Sequence, residues 1–281
     1  MHGKTCVVTG ATSGIGKETA VALAAAGAQV AIVCRTREGG ERALAEIRQR
    51  AGSDAVSLFV ADLALRPAVR GVAAELAAAL PRIDVLVNNA GLTLRGRVVT
   101  SEGLETTFAV NHLAYFLLAR LLGPRLAASA PSRIVNVASD AHRMGTLRFD
   151  DLMGARRYDG WKAYAQSKLA NIVFTYELAR RLAGTGVTAN CLHPGVVATA
   201  FASAGPTTIR LLSRIGRPFL RSPARGAETS IYLASAPELA GVSGRYFVDR
   251  RERRSSRGSY DPAAATRLWQ VSEEMTAGFL G

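Results

Sequence analysis

Short apolar runs alternate with amphipathic or alanine-rich stretches along most of the chain. The apolar runs predict strands at residues 5–8, 29–34, 55–60, 83–87, 133–137 and 187–192, with a further candidate at 244–248. The stretches between them predict helices that end near residues 26, 49, 80, 122 and 183. Because the strands are apolar throughout instead of alternating with polar positions, we expect a parallel sheet covered by helices on both faces.

One structural unit accounts for this whole pattern. The chain shows no linker, composition shift or internal repeat other than the alternation of strands and helices. We therefore predict an α/β fold in a single domain of residues 1–281, with a doubly wound parallel sheet of about seven strands flanked by helices on both faces. In such sheets ligands bind beyond the carboxyl ends of the strands, so the residues that follow each strand are the first candidates for a site.

Composition and charge narrow the choice of partners. The chain is 48% hydrophobic and 20% charged, which is typical of a globular protein, and its formal net charge is +13. Such a charge allows binding to nucleic acid, anionic lipid or anionic small molecules. The excess is mostly arginine scattered along the chain, which favours a solvated basic surface, and the absence of zinc-finger spacing or an RNP-like strand disfavours nucleic acid.

The three cysteines, Cys6, Cys34 and Cys191, each lie in a strand-like apolar run. They resemble small buried side chains in a reducing compartment more than a disulfide framework. The four histidines are dispersed without metal-ligand spacing, so we expect no metal site. With no signal peptide and no apolar run long enough to span a membrane, we expect a cytoplasmic protein.

A glycine-rich turn follows the first strand. Gly10, Gly14 and Gly16, with Ser13 and Ile15 between them, stand where this strand turns into the first helix. At such a turn glycines let the backbone approach a pyrophosphate, and the helix N-terminus offers N–H groups and a positive dipole. The spacing GxxxGxG also fits an ordinary tight strand-to-helix turn, but its position at the first strand favours a dinucleotide site.

The ends of the second and third strands bear on the type of cofactor. An acidic residue after the second strand would bind the adenosine ribose hydroxyls and select NAD, but this chain has Arg35 there. Because a guanidinium pairs well with a phosphate, we favour NADP over NAD. The alternative is a surface arginine without a partner. Asp62 and Leu63 follow the third strand, where Asp62 either hydrogen-bonds an adenine amino group or caps the next turn.

Tyr164 and Lys168 are four residues apart in a predicted helix and therefore share one face. An isolated tyrosine has a pKa near 10, and a neighbouring ammonium group favours the phenolate. Bringing the pKa to about 7 takes roughly 4 kcal/mol of differential interaction and makes the phenol a general acid or base at neutral pH. A tyrosine that packs its ring beside a solvated lysine has the same spacing. Whether the pair is catalytic therefore has to be judged from the residues around it.

Other polar or small residues are predicted at the same edge of the sheet. Residues 88–91, Ser139 and the Pro194–Gly195 pair all follow strands. Asn111 lies inside a long apolar helix, where asparagine is a poor helix former and needs a specific partner, or else bonds back to its own helix.

Taken together, these residues resemble the short-chain dehydrogenase/reductase family. The likeness rests on Thr9-Gly10-xxx-Gly14-Ile15-Gly16, Asn88-Asn89-Ala90-Gly91, Asn111, Ser139, Tyr164-xxx-Lys168 and His193-Pro194-Gly195, in this order. A closer resemblance to the retinol dehydrogenase-like branch rests on Ile32-Val33-Cys34-Arg35, Ser167-Lys168-Leu169-Ala170-Asn171, Glu177-Leu178-Ala179-Arg180-Arg181-Leu182, Arg267-Leu268-Trp269 and the long spacing from Ser139 to Tyr164. The resemblance implies a Rossmann fold and an oxidoreductase.

The resemblance also implies a role for each catalytic residue. Tyr164 would exchange a proton with the substrate oxygen, which Ser139 would hold by a hydrogen bond. Lys168 would lower the pKa of Tyr164 and bind the nicotinamide ribose, and Asn111 would anchor a water that leads from Lys168 to solvent. The implied cofactor contacts are Gly10, Ser13, Gly14, Ile15, Gly16, Arg35, Asp62, Leu63, Asn88, Ala90, Gly91, Tyr164, Lys168, Pro194, Gly195, Val197 and Thr199.

Residues 199–224 mix apolar side chains with arginines, and the resemblance makes this segment a lid over the substrate. An apolar inner face suits a lipophilic alcohol, aldehyde or ketone. A basic amphipathic helix also suits an anionic membrane surface, and a helix with solvated arginines fits equally well. His142 and Met144 are expected to border the pocket, and the basic cluster at residues 250–257 is expected to be a solvated loop.

The leading hypothesis is therefore an NADP(H)-dependent oxidoreductase that interconverts an alcohol and a carbonyl, with a small-molecule substrate. The alternative is a catalytically silent protein that senses NADP(H) or scaffolds partners, although such a protein does not need the catalytic residues together. Binding of nucleic acid through the basic surface is a third hypothesis and predicts a steep salt dependence. The family resemblance further implies a homodimer or homotetramer.

Overall fold

A computed structural model of the chain describes residues 1–195 and 221–280. Its strands are β1 (Thr5–Thr9), β2 (Gln29–Cys34), β3 (Val56–Val60), β4 (Val85–Asn88), β5 (Ser132–Val137), β6 (Val187–His193), β7 (Tyr246–Val248) and β8 (Arg251–Glu252). They form one sheet in the order β3-β2-β1-β4-β5-β6-β7-β8. All neighbouring pairs are parallel except β7 and β8. The prediction of a largely parallel sheet is confirmed, and the two-residue β8 is an addition to it.

The helices of the described residues are α1 (Gly14–Ala25), α2 (Arg37–Ala51), α3 (Arg66–Ala79), α4 (Thr106–Phe108), α5 (Ala114–Leu121), α6 (Gly123–Ala128), α7 (Gly160–Arg181), α8 (Pro223–Ser235) and α9 (Pro262–Thr276). A π-helical turn, Ala109–Leu113, joins α4 to α5, so the single helix predicted at 104–122 is a composite. Short π-helical turns are frequently found at functional sites. The sequence did not lead us to predict α8 and α9.

The helices cover both faces of the sheet, as the apolar strands predict. Alternate side chains of β1 enter different cores, with Val7 on one face and Cys6 and Val8 on the other. The Val7 core is completed by α3, α5, α7 and α9, with Leu76, Phe116, Phe174 and Trp269. The opposite core is completed by α1, α2 and α8, with Leu23, Ile47 and Leu233. Burying each large side chain contributes roughly 1.5–3 kcal/mol, which holds the sheet edge rigid beneath a site.

Two helix starts position the candidate catalytic residues. Asp159 caps α7 by accepting hydrogen bonds from the N–H groups of Trp161 (2.9 Å) and Lys162 (3.0 Å). At the first helical position, a Cβ on Gly160 would lie 1.8 Å from the Leu94 carbonyl oxygen, so only glycine allows this approach. The buried carboxylate of Glu105 caps α4 through the N–H groups of Thr107 and Phe108 and accepts a bond from the Tyr158 hydroxyl.

A buried polar side chain, His112, lies in the composite helix next to Asn111. Its ring packs against Phe108 and Phe174, and its nitrogens lie 3.4 Å from Asn171 Oδ1 and 3.0 Å from Ser272 Oγ. Burial lowers the pKa of His112 to about 4, from an ordinary value of 6.5. Near pH 6.5, where His112 takes up a proton in the unfolded chain, its imidazole in the folded protein is therefore still neutral.

This predicts an acid-labile fold. Between pH 6.5 and 4 the unfolded state binds a proton at His112 that the native state does not bind, so the free energy of unfolding falls as the pH falls. The full loss is roughly 3 kcal/mol. In a His112→Gln variant we expect lower stability at pH 7 but a gap from wild type that narrows by this amount toward pH 4. Urea unfolding followed by circular dichroism measures it; a gap that stays constant with pH would contradict the assignment.

Candidate active site

The glycine-rich turn between β1 and α1 is packed against the end of β4. Gly10 and Gly14 have positive φ angles of +69° and +60°. A Cβ on Gly10 would lie 2.7 Å from the Cα atom of Ala90, and a Cβ on Gly16 would lie 2.5 Å from the Gly10 carbonyl oxygen. Close backbone approach therefore requires glycine at positions 10 and 16. The turn forms a cradle that larger residues would fill.

Side chains at the ends of β1 and β4 hold this cradle in shape. The Thr9 hydroxyl accepts hydrogen bonds from the N–H groups of Asn89 (2.9 Å) and Ala90 (3.0 Å). In return, Asn89 Nδ2 donates to the carbonyl oxygens of Thr9 (2.8 Å) and Gly10 (3.3 Å). The sequence analysis assigned no role to either side chain, although both lie in motifs that carried the family resemblance.

The start of α1 has the features of an anion site. Ser13 is the N-cap residue in extended conformation, and its side chain makes no capping hydrogen bond. Ile15 lies in the first turn, where backbone N–H groups have no partner within the helix. The glycine cradle and these N–H groups suit the diphosphate of a dinucleotide, because a helix N-terminus favours negative charge. The residues present thus fit the diphosphate of the dinucleotide that the sequence resemblance implies.

The candidate adenosine contacts lie at the ends of β2 and β3. Arg35 is exposed directly after β2. Asp62 is half-buried, and its Oδ1 accepts a hydrogen bond of 3.0 Å from the Ala64 N–H group, so the alternative of a turn cap is what the structure shows. Leu63 is buried, with 8% of its surface exposed. These positions share the carboxyl edge of the sheet with the glycine turn.

Asn88 lies at the end of β4, and its side chain points into the protein. Its side chain is fully buried and donates to Asn136 Oδ1 in β5 at 2.9 Å, and Asn136 continues to Thr175 in α7. The Asn88 side chain is therefore engaged inside the protein by β5. The sequence correctly placed Asn88 at a strand end but did not show that its side chain joins β4 to β5 and α7.

Asn111 lies in the π-helical turn and clamps the loop that follows β4. Its Nδ2 donates to the Leu92 carbonyl oxygen and to Ser167 Oγ, both at 2.9 Å, and its Oδ1 accepts from the Leu92 N–H group at 2.8 Å. A Cβ on Gly91 would lie 3.4 Å from Asn111 Oδ1 and 3.3 Å from Lys168 Nζ. Asn111, Gly91 and Lys168 therefore converge, and back-bonding of Asn111 to its own helix is not what the structure shows.

Ser139 and Tyr164 come together from β5 and α7. Ser139 is the second residue after β5, and its hydroxyl accepts a bond from the Ala141 N–H group at 3.2 Å. Tyr164 is 8% exposed, and its phenol makes a hydrogen bond with the Ser139 side chain. Burial raises the pKa of Tyr164 to about 12, and the bond to Ser139 only partly offsets this rise. The phenol is therefore protonated at neutral pH in this structure.

Lys168 is buried beside Tyr164. Its Nζ donates to the Val137 carbonyl oxygen at 3.0 Å and lies 5.7 Å from the ring centres of both Tyr115 and Tyr164. Burial lowers the pKa of Lys168 to about 7. In this structure burial, and not Lys168, is the main influence on the pKa of Tyr164, so the lowering of that pKa by Lys168 stays a prediction. An amine that is itself half-neutral near pH 7 offers little charge to a phenol whose burial already disfavours ionisation.

The end of β6 lies at the same edge of the sheet, next to the end of β5. Pro194 and Gly195 are half-buried at this edge, as predicted. A Cβ on Gly195 would lie 2.6 Å from Cδ of Arg221, whose guanidinium donates to Asp249 at 3.0 Å. The predicted contacts Val197 and Thr199, and the predicted lid at 199–224 apart from its last residues, lie outside the described residues.

Tyr115 is a residue of this site that the sequence analysis missed. It is fully buried, its ring faces Lys168, and its hydroxyl has no hydrogen-bond partner among the described residues. Its spacing of four from Asn111 places both on one helix face, which is the signal in the sequence. Among the described residues, no group of three or more His, Cys, Asp or Glu side chains is arranged to hold a metal ion.

The sequence matches one family model over most of its length. The model describes the short chain dehydrogenase family and covers residues 4–208. This chain belongs to the short-chain dehydrogenase family. Retinol dehydrogenase 14 from Homo sapiens is 43% identical over 291 residues, which cover 98% of this chain and 87% of the relative. Together these findings confirm the resemblance to the retinol dehydrogenase-like branch.

Solved structures give the same result for the fold. An uncharacterized protein from Mycobacterium paratuberculosis is 32% identical with a TM-score of 0.79, covering 98% of this chain and 94% of its own. A protein assigned as an NAD(P)-dependent gluconate 5-dehydrogenase from Beutenbergia cavernae, with NADP bound at low occupancy, is 34% identical with a TM-score of 0.72. The match covers 89% of this chain and 96% of that one.

Family membership makes this short-chain dehydrogenase an oxidoreductase acting on alcohol or carbonyl groups with a nicotinamide dinucleotide. The Rossmann fold predicted from the sequence is confirmed. No helix among residues 1–195 and 221–280 is long and apolar enough to cross a membrane.

Proposed function

We propose that this enzyme interconverts a lipophilic alcohol and its aldehyde or ketone by hydride transfer with NADP(H), using Tyr164 as general acid and base. The observation that carries the proposal is the convergence of Ser139, Tyr164 and Lys168 beside the Gly91 loop. Tyr164 and Lys168 come from α7 and Ser139 from the turn after β5, and the three side chains meet at the carboxyl edge of the sheet, next to the dinucleotide cradle. A protein that only bound a nucleotide would not need them together.

The described residues divide the work of the reaction. NADP(H), when bound, supplies or accepts the hydride. The Ser139 hydroxyl holds the substrate oxygen, and the Tyr164 phenol, protonated at neutral pH, donates its proton to that oxygen as a carbonyl is reduced. In alcohol oxidation the phenol first has to pass its own proton to the neutral amine of Lys168, and the Tyr164 phenolate then takes the proton of the alcohol. Asn111 fixes the Leu92 loop, and this loop and Gly91 keep Lys168 in place beside the phenol.

Lys168 links the phenol to the cofactor in this proposal. Its Nζ is held by the Val137 carbonyl oxygen, which leaves two further N–H donors for ribose hydroxyls or for the Tyr164 oxygen. A pKa near 7 lets the amine gain or lose a proton near neutral pH. Lys168 is thus suited to return a proton to Tyr164 after each turnover.

The lipophilic substrate is inferred from relatives. Retinol dehydrogenase 14 is named for a lipophilic alcohol and is similar over nearly the whole of this chain. The ring of Trp161, whose centre lies 5.5 Å from that of Tyr164, adds an apolar surface beside the phenol. Retinal is therefore the first carbonyl to test, within a panel of aliphatic, aromatic and steroid carbonyls.

NADP is preferred over NAD in this proposal because Arg35 is exposed beyond β2, within the family's adenosine side of the site. We expect wild-type enzyme to reduce a member of the panel faster with NADPH than with NADH. In an Arg35→Asp variant we expect kcat/KM with NADPH to fall about 100-fold, since the loss of a charge-assisted phosphate pair and its replacement by repulsion cost on the order of 3 kcal/mol. Activity with NADH should change by less than about threefold.

Steady-state kinetics with both cofactors measure this change of preference. Arg157→Asp is the matched control, because Arg157 is also exposed and lies in the irregular segment before α7. If Arg35→Asp weakened both cofactors equally, Arg35 would have no role at the 2′-phosphate. If the wild-type protein bound NADPH but reduced no carbonyl, its assignment as an enzyme would give way to that of a catalytically silent NADP(H) sensor.

A further inference from the structure

The turn that follows Ser139 is tied to the C-terminal part of the chain by a buried histidine. His142 was expected to border the substrate pocket, but its side chain is fully buried. Its Nδ1 lies 2.7 Å from the Ser139 carbonyl oxygen, and its Nε2 accepts a hydrogen bond of 3.0 Å from the Ser256 N–H group. The ring also packs edge-on against Tyr246 at 5.2 Å. Met144, the other expected pocket residue, is 61% exposed.

These two bonds fix the tautomer of the imidazole. A backbone N–H group only donates, so the contact with Ser256 requires an unprotonated Nε2. The proton must then reside on Nδ1, which donates it to the Ser139 carbonyl oxygen. Burial lowers the pKa of His142, which keeps this single neutral form at physiological pH.

Residues 253–260, the segment that contains Ser256 and holds His142, are themselves well anchored. Arg143 Nη2 donates to the Arg254 carbonyl oxygen at 3.1 Å, and the Tyr176 hydroxyl lies 2.8 Å from Ser255 Oγ. The Ser255 N–H group also donates to the Tyr260 hydroxyl at 3.1 Å. The basic cluster at 250–257 is thus more than a solvated loop, since its backbone packs behind the catalytic turn.

We propose that His142 is a positioning residue that holds Ser139 in register for catalysis by bridging it to the segment 253–260. His142 binds the main-chain carbonyl of Ser139. By holding the main chain in place, this bond fixes the direction of the Ser139 hydroxyl. Misplacement of a reacting group by about 1 Å can cost about 100-fold in rate. Loss of the bond to this carbonyl can therefore lower the rate by more than the strength of that one hydrogen bond suggests. The inference rests on the proposed function, in which Ser139 holds the substrate oxygen.

Three substitutions separate the two halves of the bridge. The side-chain amide of asparagine occupies the place of Nδ1, so His142→Asn keeps the donor to Ser139 and loses the acceptor for Ser256. His142→Gln does the reverse, because its oxygen reaches the place of Nε2. His142→Phe keeps the ring against Tyr246 and loses both bonds.

We expect kcat to fall at least 10-fold in His142→Phe and His142→Gln, with KM for NADPH within about twofold of wild type, and to stay within about threefold in His142→Asn. Asn190→Ala is the matched control. Asn190 also donates to one carbonyl oxygen, that of Val242, and accepts one N–H bond, from Arg245, but has no contact with Ser139. It should lower the melting temperature and leave kcat within about twofold.

The test uses the full chain, NADPH and the carbonyl of the panel that wild type reduces fastest, with Ser139→Ala alongside. Amide hydrogen exchange of residues 140–145 needs no substrate and should be at least 10-fold faster in His142→Phe, with the glycine turn unchanged. Folded His142→Phe with wild-type kcat or wild-type exchange at 140–145 would overturn the proposal. If Ser139→Ala kept wild-type kcat, the proposed function would fail instead, and exchange alone would then decide whether His142 holds the turn.

Discussion

Replacing Tyr164 by phenylalanine should lower kcat about 1000-fold, because loss of a positioned general acid typically costs 10²–10⁴. The variant removes one oxygen atom and leaves the ring that packs against Trp161 and faces Lys168. Since no cofactor contact other than the hydroxyl changes, the Kd for NADPH should stay within about threefold of wild type. Single-turnover NADPH oxidation and fluorescence titration of NADPH measure the two quantities separately.

The control for this prediction removes the same atom elsewhere. Tyr232 lies on α8, on the opposite face of the sheet, with its ring packed against Phe247. Tyr232→Phe should retain wild-type kcat. A Tyr164→Phe enzyme that kept a tenth or more of wild-type kcat would show that another group handles the proton. Tyr115, with its buried hydroxyl, would then be the next residue to test.

Replacing Gly16 by alanine should abolish useful cofactor binding. The added methyl group would lie 2.4 Å from Asn89 Nδ2 and 2.5 Å from the Gly10 carbonyl oxygen, closer than real Cβ contacts. The backbone carbonyl has no way to move without opening the cradle, and the Asn89 bonds to Thr9 and Gly10 would be lost with it. We expect the Kd for NADPH to rise at least 100-fold and the free energy of unfolding to fall by about 1–3 kcal/mol.

Gly71→Ala is the matched control for Gly16→Ala. Gly71 lies within α3, and nothing is within 4 Å of the place its Cβ would take. Alanine should stabilise this helix by about 0.5–1 kcal/mol and leave NADPH affinity unchanged. Isothermal titration calorimetry and urea unfolding measure both effects. NADPH binding by Gly16→Ala with wild-type affinity would show that the cofactor lies elsewhere.

Much of this site follows from the sequence because a parallel sheet places every strand end at one edge. Gly10, Ser139 and Gly195 are far apart in the chain, yet each follows a strand, and β1, β5 and β6 lie in the central part of the sheet. Helical spacing likewise places Tyr164 and Lys168 on one face, although the residues around the pair were needed to favour a catalytic role. Neither inference needs knowledge of side-chain contacts.

Other features depend on three-dimensional contacts that no local pattern reveals. Burial decided the pKa values of Tyr164 and Lys168, and the spacing of the pair gives no measure of burial. The direction of Asn88 depends on which face of β4 it occupies. The contact between His142 and Ser256 joins positions 114 residues apart, so it is visible only in the folded chain.

The composite helix shows a different limit. Its apolar sequence predicts one helix, whereas the structure has the π-helical turn Ala109–Leu113, which carries Asn111 and its hydrogen bond with Leu92. Helix α9 was missed because its apolar positions, such as Leu268 and Val271, are too few to stand out, although they complete the core against α7. Tertiary packing rather than local pattern specifies both elements.

The most direct test of the central claim is transfer of deuterium. Wild-type enzyme is incubated with NADPH deuterated at the transferred position and with retinal or the best carbonyl of the panel, and the alcohol is analysed by mass spectrometry. We predict one deuterium on the carbinol carbon with wild type and at least 100-fold less product in the same time with Tyr164→Phe. Tight NADPH binding without any labelled alcohol across the panel would contradict the assignment of this protein as an alcohol–carbonyl oxidoreductase.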